Sequence, residues 1–320
     1  MSDELYMHRC LQLAALGLGK TSPNPMVGAV IVHHDRIIGE GYHHRCGEAH
    51  AEINAINSVK DKALLSESTL YVNLEPCSHF GKTPPCADAI IHHGIPKVVI
   101  GTIDYHDKVN GSGVRKLREA GVEVVENVCK TESELLNKRF FTFHRQHRPY
   151  IILKWAQTLD GYMDIDRTVS PTATYWITNP ALKVLTHKWR SEEDAILVGY
   201  QTMVHDQPKL TTREYPGKNP QRFVMQRGTD IISDTPYTPL SEYAEEAIQQ
   251  LYNLKIQSVI IEGGKKTLER FIKAGLWDEA RILVGNQYWE NGLKAPIIPE
   301  MPKETVNIDD NLLIYVRRQL

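Results

Sequence analysis

The sequence predicts two α/β domains in series, and three observations support this fold class. In both halves of the chain, short Val- and Ile-rich segments alternate with segments whose apolar residues recur at helical spacing. A polar helix predicted at 132–144 runs into Gln146-His147-Arg148-Pro149, after which the alternation restarts. The length of 320 residues suits two domains of roughly 100–200 residues each. We therefore predict domains of residues 1–146 and 147–320.

The first half opens with an amphipathic helix, because Met7, Ala14 and Leu18 share one face over residues 4–18. The segment Thr21-Ser22-Pro23-Asn24-Pro25 breaks that helix. Strands alternating with helices favour a mostly parallel sheet covered on both faces. The predicted strands are 27–32, 36–42, 69–74, 97–104 and 122–128, and the later helices are 50–59, 86–93 and 114–120.

The second half repeats the pattern with six short apolar segments and three helices. The predicted strands are 150–155, 195–198, 222–225, 258–261, 281–284 and 312–316, and the helices are 180–189, 241–252 and 265–274.

Composition and charge exclude several classes of protein. Hydrophobic residues make up 42% and charged residues 24% of the chain, which is ordinary globular usage. A net charge of −2 gives no basic footprint for nucleic acid, and no apolar run approaches the ~18–20 residues of a membrane span. The five cysteines are too few and odd in number for a disulfide framework, so we expect a cytoplasmic protein.

A metal centre is predicted from His50, Cys77 and Cys86. One imidazole and two thiolates suit tetrahedral zinc, and three protein ligands leave the fourth position for a water whose pKa zinc lowers towards ~7. Glu52 is better suited to move protons than to bind the metal. Because His50 and Glu52 point to nearly opposite sides of an ideal helix, both reach one centre only if the metal lies near the helix tip.

The spacing of the two cysteines leaves a second interpretation open. Zinc deaminases carry His-x-Glu followed by Pro-Cys-x-x-Cys, whereas eight residues separate Cys77 from Cys86. Cys46 and His79 are each close enough in sequence to be a fourth ligand. A fourth protein ligand would make the site a closed, structural one.

Three motifs resemble the bifunctional deaminase–reductase family of riboflavin biosynthesis: TSPNPMVG (21–28), HAE (50–52) and EPCSHFGKTPPC (75–86). The resemblance covers essentially the whole chain. It implies a cytidine-deaminase-like three-layer domain followed by a dihydrofolate-reductase-like α/β domain. It further implies zinc-dependent removal of the 2-amino group of 2,5-diamino-6-(phosphoribosylamino)pyrimidin-4-one, then NADPH-dependent reduction of the ribosyl chain to ribityl. The expected cofactors are one Zn²⁺ per chain and NADPH.

Five residues are candidates for the deamination site besides the zinc ligands. Glu52 would take the proton of the attacking water and deliver one to the departing ammonia. Asn24 can offer a donor and an acceptor to the pyrimidine edge, and Lys82 is a cation suited to the substrate phosphate. The resemblance also implies that His43 and Asp104 line the pocket. After Asp104 the sequence reads Tyr-His-Asp, where the family usually has Pro-Asn-Pro.

The second half lacks the GxGxxG dinucleotide fingerprint, and Gly111-Ser112-Gly113 in the first half is better explained as a turn. It offers instead Glu262-Gly263-Gly264-Lys265 between a strand and a helix. Glycines let the backbone approach a ligand, and a helix N-terminus presents free N–H groups to phosphate. A strand–Gly-Gly–helix turn is also common without a ligand, so the motif alone leaves both interpretations open.

The resemblance assigns further residues of the second half to two groups. The implied cofactor contacts are Lys154, Ala156, Trp176, Thr202, Asp206, Gly263, Gly264 and Lys265. The implied substrate contacts are Thr174, Arg190, Leu210, Arg213 and Glu262. The guanidinium groups of Arg190 and Arg213 suit a phosphate because they bind it through paired donors.

Three alternatives to the bifunctional enzyme stay open. One is a deaminase whose C-terminal domain only binds a ligand, another is a nucleic-acid deaminase, and the third is an interaction protein with a structural zinc. The expected partners are small phosphoribosyl pyrimidines, and we expect neither nucleic acid nor membrane as a partner. In the family, the reductase domains of two chains commonly pair through the edges of their sheets, so the resemblance implies a homo-oligomer.

Overall fold

A computed structural model describes residues 2–80, 84–104, 111–167, 175–226 and 237–318. The chain divides into two compact units, Met1–His147 and Arg148–Leu320. The division falls one residue after the boundary that we predict from the sequence. Each unit contains its own sheet. Among the described residues, no helix is both long enough and apolar enough to span a membrane.

The first unit is built on a five-stranded sheet of order β2-β1-β3-β4-β5. The pairs β1–β2 and β1–β3 are antiparallel, whereas β3–β4 and β4–β5 are parallel. The sheet is therefore mixed rather than mostly parallel, because its first two strands form a hairpin. The strands are β1 Gly28–His33, β2 Arg36–Tyr42, β3 Thr69–Leu74, β4 Lys97–Thr102 and β5 Glu123–Val125.

Helices cover both faces of this sheet, which gives the three layers expected of a cytidine-deaminase-like domain. Met7 and Cys10 of α1 pack with Val30 and Tyr71 on one face. Residues of α2, α3 and α4 pack on the other face. The helices are α1 Asp3–Ala15, α2 Ala51–Ser58, α3 Cys86–His92, α4 Ser112–Glu119, α5 Lys130–Leu136 and α6 Lys138–Gln146, and Lys62–Glu67 forms a 3-10 helix.

The helix predicted at 132–144 is two helices that meet at Asn137. The side chain of Asn137 is buried. It accepts a hydrogen bond from the Met26 backbone N–H at 2.8 Å and donates one to the Met26 carbonyl at 2.9 Å. This long-range pairing satisfies the backbone N–H and carbonyl of Met26.

The second unit is built on an eight-stranded sheet of order β10-β9-β8-β11-β6-β12-β15-β14. All pairs from β10 to β12 are parallel, and the last two pairs are antiparallel. The strands are β6 Tyr150–Thr158, β7 Tyr162–Asp164, β8 Ala195–Gly199, β9 Gln221–Met225, β10 Thr238–Leu240, β11 Ser258–Ile261, β12 Glu279–Gly285, β13 Leu293–Lys294, β14 Glu304–Ile308 and β15 Asn311–Arg317; β7 and β13 pair separately.

This sheet is also covered on both faces. Ala247 and Phe271, on α9 and α10, belong to the core on one face, and Leu182 and Trp189 of α7 belong to the core on the other. The helices are α7 Pro180–Glu192, α8 Tyr200–Asp206, α9 Ala244–Asn253 and α10 Lys265–Ala274. Because β6, β8 and β11 are parallel neighbours, their carboxyl ends meet at one edge, where open α/β sheets bind ligands.

Candidate active sites

The three predicted metal ligands of the first unit come from the starts of two helices and the end of one strand. His50 is the N-cap of α2 and has extended backbone, so it lies outside the helix, whereas Glu52 lies in its first turn. Cys77 follows β3, and Cys86 is the first residue of α3. The metal position at the helix tip that the sequence requires is therefore available.

The donor atoms lie at separations that suit zinc. The His50 Nδ1 is 3.6 Å from the Cys77 Sγ and 3.3 Å from the Cys86 Sγ. A tetrahedral zinc with a nitrogen at ~2.05 Å and a sulfur at ~2.3 Å places those two atoms about 3.6 Å apart. Hydrogen bonds from Cys86 and from His50 outweigh burial and lower the pKa of Cys77, which favours the thiolate form that zinc binds.

Glu52 is buried beside this group, with 3% of its surface exposed. Its carboxyl is in hydrogen-bonding contact with Cys86. Burial, with the neighbouring Cys77 charge as the second cause, raises the pKa of Glu52 to about 7. A carboxyl with a pKa near neutrality can both accept and deliver a proton, which is the property that a general acid–base group needs.

Neither of the two candidate fourth ligands joins the group. Within the described ranges, the ligand atoms that converge there belong to His50, Cys77 and Cys86. Cys46 is exposed and, like His79, is not a member of the group. The geometry thus favours three protein ligands and an open fourth position, as in catalytic zinc sites.

Asn24 and His43 form a hydrogen-bonded pair near the metal ligands. The Nδ2 of Asn24 lies 3.1 Å from the Nε2 of His43, and the Nδ1 of His43 lies 3.1 Å from the Ala49 carbonyl oxygen. Burial lowers the pKa of His43, so the ring is neutral, donates to Ala49 and accepts from Asn24. The amide oxygen of Asn24 consequently points away from His43. The His43 and His50 rings lie 5.3 Å apart.

The remaining residues predicted for deamination have different outcomes. Asp104 is buried with 8% exposed and follows β4, and its backbone N–H donates to Glu75. Lys82 lies outside the described residues.

In the second unit, a buried group of charges lies where β6 and β11 meet. The guanidinium of Arg190 on α7 donates to both carboxylate oxygens of Glu262, at 2.9 and 2.7 Å. The Nζ of Lys154 is 3.7 Å from the same carboxylate. Burial alone raises the pKa of Glu262, but the charges of Arg190 and Lys154 outweigh it and lower the pKa to about 2. Burial lowers the pKa of Lys154.

The glycine pair follows Glu262 directly. The peptide bond between Gly263 and Gly264 is cis, the Gly263 carbonyl accepts from the Gly199 N–H at 2.8 Å, and Gly264 is the N-cap of α10. A side chain at Gly264 would meet the Thr202 hydroxyl at 3.0 Å. The predicted cofactor residues Gly263, Gly264 and Thr202 are therefore neighbours. Lys265 is the first residue of α10, and its Nζ lies 3.8 Å from a carboxylate oxygen of Glu269.

The other predicted residues of this half have contacts of their own. Ala156 lies on β6 opposite Leu283, and Trp176 is 59% exposed with the Lys183 Nζ 4.7 Å above its ring. The Asp206 carboxylate is paired with Arg167 at 3.0 Å. Leu210 is buried, Arg213 is largely exposed, and Thr174 lies outside the described residues.

His187 is a buried residue of this region that the sequence did not single out. It lies one helical turn before Arg190 on α7, and its Nδ1 accepts the Glu214 backbone N–H at 3.3 Å. Burial, followed by the charges of Arg190 and Arg213, lowers the pKa of His187 to about 4. The neutral ring thereby fixes the chain next to Arg213. The sequence signal for His187 is its position three residues before Arg190, which places both residues on one face of a helix. No pattern in the sequence predicts the contact of His187 with Glu214.

Comparison with known proteins relates both halves to one family. Residues 1–102 match the family model of the cytidine and deoxycytidylate deaminase zinc-binding region, and residues 149–286 match that of the RibD C-terminal domain. The riboflavin biosynthesis protein RibD of Aquifex aeolicus is 36% identical over 99% of this chain and 98% of its own length.

The chain belongs to the RibD family. Two solved structures are similar over nearly the whole length. The deaminase/reductase from Thermotoga maritima is 36% identical, with a TM-score of 0.86 over 98% of both chains. RibD from Acinetobacter baumannii is 28% identical, with a TM-score of 0.87 over 99% of both chains.

Membership of the RibD family confirms the resemblance on which several predictions depend. The chain is a bifunctional deaminase and reductase of riboflavin biosynthesis, a hydrolase and an oxidoreductase in one polypeptide. The two-domain α/β fold class is confirmed, and Zn²⁺ and NADPH fit the two domains as cofactors. The match of residues 149–286 to the RibD C-terminal domain favours the bifunctional enzyme over a deaminase with a non-catalytic C-terminal domain.

Proposed function

We propose that residues 1–146 remove the 2-amino group of 2,5-diamino-6-(5-phosphoribosylamino)pyrimidin-4(3H)-one by hydrolysis, and that residues 147–320 reduce the resulting 5-amino-6-(5-phosphoribosylamino)uracil to its ribityl form. The Thermotoga maritima relative is described by a deaminase and a reductase activity of this kind. The observation that carries the proposal is the convergence of His50, Cys77 and Cys86 beside a buried Glu52.

In the first step, we assign the metal to His50, Cys77 and Cys86 and proton transfer to Glu52. Zinc, when bound, supplies an activated water, and NADPH supplies a hydride to the second step. Glu52 takes a proton from the attacking water and delivers one to the departing amine, for which its near-neutral pKa is suited. Asn24, oriented by His43, binds the pyrimidine edge.

Three further substrate roles of the first domain rest on the family resemblance alone. Lys82 neutralises the substrate phosphate, and His43 and Asp104 line the pocket. Both His43 and Asp104 are buried.

In the second step, the glycine pair and the start of α10 bind the cofactor. Gly263, Gly264 and Lys265 present backbone and charge to its phosphates. Lys154, Ala156, Trp176, Thr202 and Asp206 complete the proposed cofactor contacts. The remaining proposed contacts are with the substrate: Thr174, Arg190, Leu210, Arg213 and Glu262.

The decisive experiment follows ammonia and NADPH together. The purified protein receives the diaminopyrimidine substrate and NADPH, and both ammonia release and NADPH oxidation are recorded. We expect one ammonia and one oxidised NADPH per substrate. Arg213→Ala should release ammonia at the normal rate and accumulate the aminouracil phosphoribosyl intermediate. Normal NADPH oxidation in Arg213→Ala would remove Arg213 from the proposed site.

The cellular location and the oligomeric state complete the proposal. We place the protein in the cytoplasm, because its few cysteines are unpaired and a reducing compartment keeps them so. We also expect a homo-oligomer, which sedimentation at micromolar concentration tests directly. A monomer at all concentrations would contradict the homo-oligomer and leave the assignment of both activities unchanged.

A further inference from the structure

Glu75 connects the segment after β3, which contains the metal ligand Cys77, to the helix α4, which contains no predicted ligand. It follows β3 directly and is buried, with 4% of its surface exposed. Its carboxylate accepts four backbone N–H groups: Oε2 from Asp104 at 3.1 Å and Gly111 at 3.0 Å, and Oε1 from Gly113 at 2.8 Å and Val114 at 3.2 Å. Because a carboxylate has about four acceptor sites, its full capacity is used.

The start of α4 depends on this carboxylate for its cap. The N-cap of α4 is Gly111, which has no side chain to accept the free N–H groups of the first turn. Glu75 supplies that acceptor from another element, and a negative charge at a helix N-terminus is favourable. At Gly113 a side chain would collide with the carbonyl oxygen of Pro76, so the close approach of α4 to the strand end requires glycine there.

A second contact holds the same two elements together. The hydroxyl of Ser78 lies 2.6 Å from the hydroxyl of Ser112 in the first turn of α4. Between Glu75 and Ser78 lies Cys77, whose carbonyl accepts the Ala87 N–H at 3.1 Å. The stretch from Glu75 to Ser78 is thus fixed to α4 at both its ends, with the metal ligand between them.

We propose that Glu75 is a positioning residue for deamination, which holds Asp104 and the first turn of α4 at a fixed place relative to Cys77. Glu75 acts through Asp104, whose backbone it fixes directly. This inference rests on the substrate role proposed above for Asp104. It assigns no contact with substrate or metal to Glu75 itself.

Glu75→Gln is the first test, because it keeps the size of the side chain and replaces one acceptor oxygen by an NH₂ group that faces N–H donors. We expect the KM for deamination to rise by up to about 100-fold, the loss that a misplacement of about 1 Å produces at a site. Zinc content should stay at one per chain. The reductase activity of the same protein should be unchanged, which reports that the second unit is folded, and the retained zinc reports that the first unit is.

Leu117→Ala is the matched control. Leu117 is fully buried in α4, so its truncation weakens the packing of the helix and leaves the four bonds to Glu75 intact. Leu117→Ala should lower the melting temperature with the KM for deamination unchanged. An equal rise of KM in Leu117→Ala and Glu75→Gln at equal loss of melting temperature would reduce Glu75 to a structural residue and overturn the proposal.

A double-mutant comparison separates positioning from a general effect. If Glu75 acts through Asp104, then Glu75→Gln should add little to the KM change already caused by Asp104→Asn. Additive changes would overturn the proposal, and so would an unchanged KM in Glu75→Gln alone. Normal deamination by Asp104→Asn would remove the substrate role of Asp104, and positioning through it, without touching the zinc-based reaction.

A second variant keeps the test available if Glu75→Gln does not fold. Glu75→Asp keeps the negative charge but shortens the side chain by one methylene, so that its carboxylate no longer reaches the Asp104 N–H and the first turn of α4 together. We expect the same rise in KM, again with little added effect in the presence of Asp104→Asn. An unchanged KM in folded Glu75→Asp would contradict the inference.

Discussion

Replacing Glu52 by glutamine tests proton transfer without changing the predicted zinc ligands. The substitution keeps the size and hydrogen bonding of the side chain but removes the proton that the carboxyl exchanges near neutral pH. The converging donor atoms belong to His50, Cys77 and Cys86, so Glu52→Gln should retain its zinc. A change in deamination then reports on proton transfer alone.

The expected loss is large because Glu52 is only 3% exposed, and bulk water cannot readily replace it as the proton carrier. Losing a general acid–base group typically costs ~10²–10⁴-fold in rate, which corresponds to about 3–5.5 kcal/mol of activation free energy. The pKa of Glu52, raised to about 7 by burial, matches the working pH and favours the upper part of that range. We therefore expect kcat for deamination to fall at least a hundredfold.

The assay measures ammonia release and NADPH consumption for each variant on each substrate. Glu52→Gln should stop at the first step but still oxidise NADPH when given the aminouracil phosphoribosyl compound. Glu48→Gln is the matched control, since Glu48 is an exposed glutamate two residues before His50, and it should deaminate normally.

Two results would refute this reasoning. Near-normal deamination by Glu52→Gln would remove Glu52 from the mechanism. Loss of both activities in a well-folded, zinc-containing Glu52→Gln protein would mean that the two sites are not independent, and the assignment of one activity to each domain would have to be abandoned.

The remaining predictions concern the metal and the buried charges of the second unit. Cys86→Ser should lose the zinc and Cys46→Ser should keep both zinc and deamination; equal loss of metal in the two variants would indicate a closed site. The pKa of Glu262, lowered from 4.5 to about 2, contributes about 3 kcal/mol to the free energy of unfolding above pH ~4.5. That contribution should be lost as the pH falls from ~4.5 to ~2. Glu262→Gln should lower the free energy of unfolding by about 3–5 kcal/mol at pH 7, because Arg190 and Lys154 are left without a counter-charge. In urea titrations, the difference in free energy of unfolding between the variant and the parent should shrink below pH 4. A difference that does not change with pH would contradict the ion pair.

Elements with strong periodicity could be predicted from the sequence, and weakly patterned ones could not. The strand at 69–74 and the helix at 265–274 have the bounds predicted, because buried strands and amphipathic helices leave clear patterns. The strand Glu304–Ile308 was not predicted because it is a sheet edge with mostly exposed polar residues. The seven-residue helix Tyr200–Asp206 is too short to show a period.

The two candidate sites differ in how much of them is local in sequence. The metal ligands lie within 37 residues at element boundaries, so a motif describes them. The pairing of Arg190 with Glu262 spans 72 positions, and that of Glu75 with Gly113 spans 38. Such pairings depend on which strands are neighbours in the sheet, and no local pattern contains that information.

The charge balance at the second site follows from one of these pairings. From the sequence alone, Arg190 and Arg213 are equally good candidates for binding a phosphate. In the structure, Glu262 neutralises one of the charges of Lys154 and Arg190, so the three groups together carry one positive charge. His187 adds none at neutral pH, since its pKa is lowered to about 4. Among the substrate contacts proposed above, we therefore expect the exposed guanidinium of Arg213 to supply the second positive charge that balances a phosphate dianion. Arg213 is for this reason a sharper target for mutation than Arg190.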